Sequence, residues 1–401
     1  MTLATVEKAA VRAGKAAFGP TWHPASWSHA PGRLELLGNH IDYNGGSVLA
    51  GAIDRSVATG IAPAPDIPGI EVAFDVAAGE IVRLDPAALQ DWRIESGQQA
   101  TPADYLRGVI AALTARSLPV RTGIRLGIAG NVPIGFGMSS SAALCVTNVL
   151  AMLDEPLSPR DIVLIAQEAE HRAGSPVGAM DQSASVAGDI ILFDGGSITW
   201  EHLTPDLGSL VFAVAHSGVD HALSASSYPV RVAESKEALD LVRQHVDPGL
   251  SSLAAITDGQ WRQIEQAGFL GDTLHKRVRH VVNEQRRVEQ GVIAVTNNDW
   301  QGFGALMTAS GQSSATDYEI SHPVVEELVA MLNTLPGVLG ARMMGGGEGG
   351  PALALLEGDA VAGVEATLNR NFYARHPLHD IGEGFQVCRF GPGASRESAS
   401  G

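Results

Sequence analysis

Three glycine-rich segments, far apart along the chain, hold most of the residues able to do chemistry. The central one reads Pro133, Gly135, Gly137, then Ser139, Ser140 and Ser141. It runs into Ala142, Ala143, Val146, Val149 and Leu150, which recur at helix spacing. A tight loop feeding a helix N-terminus offers free backbone N–H groups and the positive end of the helix dipole to phosphate oxygens. Serine hydroxyls there could add hydrogen bonds or hold a magnesium ion. The same text also describes an ordinary helix capped by Ser139 or Ser140 after a turn. Two well-known phosphate loops are excluded. Gly-Lys-Ser/Thr is missing, and Ser140 fills the last position of the Gly-x-Gly-x-x-Gly pattern that Gly135 and Gly137 begin.

The second segment, Arg342 to Gly350, has glycine at 345, 346, 347, 349 and 350. Without Cβ atoms, that backbone can approach a ligand closely. A flexible hairpin is the alternative, but a hairpin rarely needs so many glycines. The third runs from Pro31 through Arg33, Gly38, Asn39, His40, Asp42 and Tyr43. It gathers a cation, an imidazole and a carboxylate at a strand end, which suits recognition of a polar small molecule or, more blandly, a surface turn.

These segments need elements to hold them. Ala9 to Phe18 reads as a helix, followed by an irregular arm containing Trp22, Trp27 and Pro31. Leu34 and Leu36 alternate with Arg33 and Glu35, as in a half-buried strand. Asn-Gly and Gly-Gly then mark turns. Further strands are expected near Ser56 to Ile61, in IEVAFDV, at Ile124 to Gly130 and around Ile190 to Phe193, with a helix from Pro159 to His171. Ser209 to Ser217 reads as a central strand opening a second lobe. The sequence therefore divides into lobes 1–205 and 206–401. Helices are expected over 230–245, 253–266, 270–290, 297–309 and 322–334. The tail reads strand, glycine turn, strand, helix, strand, which predicts a helix-backed antiparallel sheet.

Composition narrows the function classes. The chain has 401 residues, 45% hydrophobic and 18% charged, enough for a substantial core. With 27 Lys and Arg against 44 Asp and Glu, the net charge is -17, so a non-specific binder of nucleic acid or anionic membrane would repel its partner. Two cysteines cannot build a disulfide framework or a four-cysteine metal site. No signal peptide or membrane span is visible. A cytoplasmic protein, monomeric or weakly homodimeric, is the simplest expectation.

Taken together, the three segments resemble the three motifs of the GHMP small-molecule kinases, in that family's order, and most closely its galactokinase branch. GRLELLGNHIDYNGG resembles G-R-x-N-L-I-G-E-H-x-D-Y-N-G-G, PIGFGMSSSAAL resembles P-x-G-x-G-L-S-S-S-A-A-L, and ARMMGGGEGG resembles A-R-M-T-G-G-G-F-G-G. AEH at 169–171, GAMDQ at 178–182, the segment from His216 to Arg231, HVVNEQRRV at 280–288 and the stretch from Phe303 to Ser321 also follow that branch. The resemblance covers roughly residues 18 to 390.

The resemblance implies a two-lobed α/β enzyme with a mixed N-terminal lobe, a ferredoxin-like C-terminal sheet and a cleft between them. ATP would be cradled by Pro133, Gly135, Gly137, Ser139, Ser140 and Ser141, with Gly346 and Gly347 closing the catalytic end. Mg²⁺ would be held by a serine of that loop, Ser140 or Ser141, and by Glu170. Asp181 would face the anomeric hydroxyl of a monosaccharide, with Arg33 beside it. Asn39, His40, Asp42, Gly178 and Tyr228 would line the sugar pocket. The implied activity is phosphorylation of galactose to galactose 1-phosphate. The alternatives are a kinase for a related sugar or uronic acid such as galacturonate, a non-catalytic sugar- and ATP-binding sensor, or a mevalonate-type kinase, against which His40, Asp42 and Tyr43 speak.

The chain departs from the motifs in specific places. Asn39 stands where the branch carries glutamate, and Glu35 where it carries asparagine. Glu348 replaces an aromatic, and Gly311 a histidine. An amide at position 39, facing the sugar, would repel a carboxylate substituent less than a glutamate would, so tolerance of uronic acids is expected.

Overall fold

The computed structural model describes residues 3–77, 79–219, 227–378 and 383–398. The first sheet is built from β1 (Ser26–Leu37), β2 (Ser47–Pro63), β3 (Ile70–Phe74), β4 (Val82–Leu84), β5 (Ile124–Gly130), β6 (Ile190–Asp194) and β7 (Thr199–Leu203). The second holds β8 (Leu210–His216), β9 (Val338–Met343), β10 (Pro351–Glu357) and β11 (Phe385–Cys388), and the last strand, β12 (Ser395–Ser398), returns to the first. The first sheet runs β12-β1-β2-β5-β3-β4, with β6 paired to β2 and β7; only β3 and β5 run parallel. The second runs β11-β8-β10-β9, antiparallel throughout. Numbered along the chain that order is 4-1-3-2, the ferredoxin-like arrangement that the resemblance implies and that fits the helix-backed antiparallel sheet read from the tail.

The helices are α1 (Leu3–Phe18), α2 (Pro102–Ala115), α3 (Ser140–Ala151), α4 (Pro159–Arg172), α5 (Met180–Ala187), α6 (Tyr228–His245), α7 (Asp258–Ala267), α8 (Asp272–Thr296), α9 (Trp300–Thr316), α10 (Pro323–Leu332) and α11 (Val361–Asn371). Helices α6 to α10 fill the connection between β8 and β9, and α11 crosses between β10 and β11. One continuous apolar core joins the two sheets. Helix α9 lies almost on the backbone of β9: a Cβ on Gly340 would stand 2.0 Å from the Gly304 carbonyl oxygen. Among the described residues no helix is long and apolar enough to cross a membrane, and Cys145 and Cys388 are free and buried.

Several expectations are corrected. The irregular arm is a strand from Ser26 onward, because β12 and β2 pair with it from both sides. Pro31, which has no N–H to give, sits at a register shift where the ladder loses nothing. The segment after Arg33 is not half-buried. Leu34 and Leu36 face the core, and Arg33 and Glu35 on the opposite face are buried in ion pairs. The expected helix at 253–266 is a short turn followed by α7, because Thr257 and Gln260 form a capping box that starts a new helix. Helices α2 and α5 went unmarked. The inward residues of α5, Gln182, Ser183 and Ser185, are polar and hydrogen-bonded inside, so it shows no apolar stripe.

Candidate active site

Strand β1 and the first turn of α5 bring together residues 148 apart. Arg33 donates from Nε to Asp181 Oδ1 and from Nη2 to Asp181 Oδ2, both at 2.8 Å. Such a planar two-pronged pair fixes both groups in direction as well as distance. The third nitrogen, Nη1, donates to the Gly137 carbonyl at 2.5 Å, and the Met138 carbonyl accepts from the Arg33 backbone N–H at 3.0 Å. The serine loop is thereby stitched to the strand that carries Arg33.

Ser139 holds the N-cap position of α3, yet its side chain caps nothing. Its backbone is left-handed, φ 55°, a costly state for a residue with a Cβ. That twist sends the hydroxyl to Asp181 Oδ2, to which it donates. The first N–H groups of α3 remain without intrahelical partners and open toward the loop. Gly135 and Gly137 take positive φ values of 82° and 62° to close that loop. His216, at the end of β8, contacts the Gly135 carbonyl oxygen at 3.1 Å and ties the loop to the second sheet.

Glu170, on α4, is 1% exposed. Ser141 donates to it at 2.7 Å and Gln182 donates to its other oxygen. Burial pushes its carboxyl up to about 7, against the pull of the Ser141 hydroxyl. An anionic Glu170 is thus short of positive charge. A hard divalent cation held between Glu170 and a serine hydroxyl of the loop would supply that charge, and oxygen donors of this kind suit Mg²⁺. Among the described residues no group of three or more His, Cys, Asp or Glu side chains could hold a metal. Phosphate oxygens and water would have to complete the shell.

Beyond Asp181 the cleft continues into a second polar wall. Asp42 follows His40 in a turn of positive φ, 62° at His40. Enclosure raises the Asp42 carboxyl to about 7, with Asp181 and Glu35 adding to the push and the Tyr43 N–H opposing it. Gly178 lies against it, and the Gly178 backbone also hydrogen-bonds the Tyr228 hydroxyl. Tyr228 begins α6 and is 8% exposed; its ring packs at 4.9 Å from His40 and 5.3 Å from Tyr43. His40 and Tyr43 share a 2.9 Å hydrogen bond, and Tyr43 meets Tyr318 at 2.9 Å.

Asn39 lies elsewhere than expected. It is fully buried, and its amide is consumed by the protein. Nδ2 donates to Glu35 Oε1 at 2.9 Å and to the Gly345 carbonyl at 3.0 Å, and Oδ1 accepts from Ser314 at 3.0 Å. It braces the pocket from behind and does not line it. The second glycine segment also has a bracing part. A Cβ on Gly347 would meet the Ile320 carbonyl at 2.2 Å, and the Glu348 carboxylate accepts from the Ser227 N–H at 2.8 Å, just before α6. Gly346 follows Gly345, whose carbonyl holds Asn39.

Some residues of the site escaped the sequence reading. Glu284 accepts from the Gly38 and Asn39 N–H groups at 3.0 and 3.2 Å, and from Ser310 at 2.5 Å. His280 donates to the Asn39 carbonyl at 2.9 Å. The two lie one turn apart on α8, and polar residues at that spacing on a buried helix face were the available signal.

A ferredoxin-like lobe packed on a mixed sheet, with a serine-rich helix N-terminus facing an arginine–aspartate pair, is the architecture of a GHMP kinase. Models for the GHMP kinases N terminal domain and GHMP kinases C terminal match residues 104–189 and 292–374, and a galactokinase galactose-binding signature matches residues 15–63. A galactokinase of Homo sapiens is 35% identical over 82% of this chain and 83% of its own. One of Chloroflexus aggregans is 34% identical over 94% of this chain and 95% of its own. The solved structure of Lactococcus lactis galactokinase complexed with galactose superposes with a TM-score of 0.83 at 25% identity, covering 98% of each chain. Methanococcus jannaschii mevalonate kinase shares the fold at a TM-score of 0.63, 16% identity, over 92% of this chain and 99% of that one. The chain belongs to the galactokinase family.

Proposed function

We propose that this protein transfers the γ-phosphoryl group of ATP to the anomeric hydroxyl of galactose. The observation that carries the reading is the Arg33–Asp181 pair, held at 2.8 Å and pinned to the serine loop at the N-terminus of α3. Phosphoryl transfer demands positioning and charge compensation more than covalent help. Asp181 accepts a hydrogen bond from the reacting hydroxyl and orients it. Arg33 stabilises charge on that carboxylate and on the developing alkoxide. The N–H groups at the start of α3, with Ser140 and the Gly135–Gly137 loop, bind phosphate oxygens. Glu170 and Ser140 hold Mg²⁺, which neutralises phosphate charge when bound. Asp42, His40 and Tyr228 contact the sugar, and Gly178 leaves them room.

The lobes are read as residues 1–205 and 206–401, with β12 crossing back. The protein is read as a monomer or weak homodimer of a reducing cytoplasm, which suits its two buried free thiols. The test is a panel of monosaccharides with ATP and Mg²⁺, scored for ADP release, with the phosphorylated position fixed by ³¹P NMR. Galactose 1-phosphate is the expected product. Sugar and ATP binding without turnover would favour a sensor instead.

A further inference from the structure

Successive side chains of a strand alternate in direction, so Arg33 and Glu35 share the cleft-side face of β1, about 7 Å apart along it. Arg33 meets Asp181 there. Glu35 is the next group on that face, toward the His40 turn. Its Oε1 is saturated: Arg342 Nη2 donates to it at 2.8 Å and Asn39 Nδ2 at 2.9 Å. Its Oε2 accepts no hydrogen bond from any described residue and is not fully enclosed, and the side chain keeps 7% exposure. Its charge reaches Asp42. A carboxylate oxygen with free lone pairs therefore stands beside the sugar wall.

The departures noted in the sequence now have a common cause. The motif that this segment resembles has asparagine at position 35 and glutamate at position 39; here the two are exchanged. In the fold the pair is joined by a 2.9 Å hydrogen bond, so the exchange keeps one amide and one carboxylate in contact and relocates the carboxylate. Arg342, fully buried, supports it at the new position by binding both the Glu35 side chain and its carbonyl oxygen. Gly311 makes the space, since a Cβ there would stand 2.7 Å from Arg342 Cβ.

We propose that Glu35 is a substrate-contacting, specificity-determining residue. Its Oε2 accepts a hydrogen bond from a sugar hydroxyl remote from the reacting one. With Asp181 and Asp42 it surrounds the sugar with three carboxylates, so the site takes neutral polyhydroxylated sugars and repels a sugar that bears a carboxylate. This reverses the tolerance of uronic acids expected from Asn39. It rests on the sugar-kinase reading above and deepens it.

The experiment compares kcat and KM for galactose and galacturonate in the wild type, Glu35→Gln and Glu35→Gln/Arg342→Met, with melting temperatures recorded alongside. The double variant removes both buried charges and keeps the test alive where the single variant does not fold, because replacing a buried pair entirely is far milder than orphaning one partner. The wild type is expected to favour galactose by at least about 100-fold in kcat/KM. Removing the carboxylate should raise the galactose KM about tenfold or more, leave kcat within about threefold, and narrow the preference at least tenfold. A purely structural Glu35 would lower the melting temperature and leave the ratio of the two sugars alone. A wild type that uses both sugars equally, or folded variants whose KM and ratio stay within about twofold, would overturn the assignment and leave the kinase reading standing. A wild type inactive on every sugar overturns both.

Discussion

Gly178 and Asp42 approach each other so closely that a Cβ built on Gly178 would lie 1.6 Å from Asp42 Oδ2. No side chain is tolerated there without driving the carboxylate away. Gly178→Ala should therefore displace Asp42 and disturb the hydrogen bond from the Gly178 backbone to Tyr228. The expected outcome is a rise of at least about tenfold in the sugar KM with ATP binding unchanged, since the change lies in one wall of the cleft. Steady-state kinetics with each substrate varied in turn would show it. An unchanged sugar KM would place the sugar away from Asp42.

As a proposed sugar contact, Asp42 is also expected to make sugar binding pH-dependent. Its carboxyl is raised to about 7, chiefly by burial. A raised acid favours the folded state below its unfolded value near 3.8, and that contribution is lost as pH rises through about 7. Sugar hydroxyls donating to the carboxylate act in the opposite sense, because they favour the charged form. Sugar affinity is thus expected to rise with pH up to about 7, by at most about tenfold per unit, and to level off above it. Calorimetry in two buffers of different ionisation heat should record proton release on binding at pH 6 and little at pH 8.5. Equal proton counts at both would remove Asp42 from the binding equilibrium.

The Arg33–Asp181 pair is expected to control turnover more than binding. Asp181→Asn keeps the shape and loses the charge, and Arg33→Ala loses the partner. Each should lower kcat by about 100-fold or more, the scale of losing a positioned proton acceptor. Ser139→Ala removes the third donor to Asp181 and relieves a hydroxyl that caps no helix, so its effect should be smaller and confined to kcat. Wild-type turnover in Asp181→Asn would remove that residue from the chemistry.

How much of this was legible in the sequence follows from how local each feature is. The loop of Gly135 and Gly137 and the start of α3 are short-range patterns, and the β-turn-β-α-β tail carries its own alternation, so both could be read directly. Asp181 in α5 and Glu170 in α4 came only through motif resemblance, because their partners lie on β1 and α3. The strand at Ser26 was hidden because Pro31 and two tryptophans read as irregular until β2 and β12 supply pairing on both sides. The placement of Asn39 is hidden from the sequence for a similar reason. What faces a pocket depends on Glu35, Ser314 and Gly345, which are brought to it by three different elements.

The metal requirement should respond to two residues differently. With Glu170 and Ser140 as the proposed metal ligands, Glu170→Gln removes the anionic one while keeping a group that Ser141 can still donate to. Ser140→Ala removes a neutral one. Both should raise the Mg²⁺ concentration at half-maximal rate, and Glu170→Gln should do so more, because a hard cation gains more from a carboxylate than from a hydroxyl. Titrating Mg²⁺ at fixed ATP decides it, and unchanged half-saturation in both would mean that the metal is held elsewhere.

Glu284 makes a prediction about stability that also reaches the sugar site. It is fully buried and accepts from Arg287 at 2.6 Å as well as from Gly38, Asn39 and Ser310. Burial alone would raise its carboxyl, but Arg287, His280 and the Ser310 hydroxyl outweigh burial and hold it at about 2. A depressed acid contributes stability above its unfolded value near 4.5, and that contribution is lost as pH falls toward about 2. Glu284→Gln orphans Arg287 and loosens the Gly38–Asn39 turn that leads into His40. The cost at neutral pH should be about 3–5 kcal/mol, the scale of breaking a buried pair on one side. The stability gap between wild type and variant, followed by urea unfolding, should be widest above pH 5 and shrink steadily toward pH 2. At neutral pH and a temperature where the variant is folded, its sugar KM should rise more than its ATP KM, since the turn it anchors leads directly into His40. A gap that does not narrow in acid would mean that the Glu284 charge is not what fastens α8 to the His40 turn.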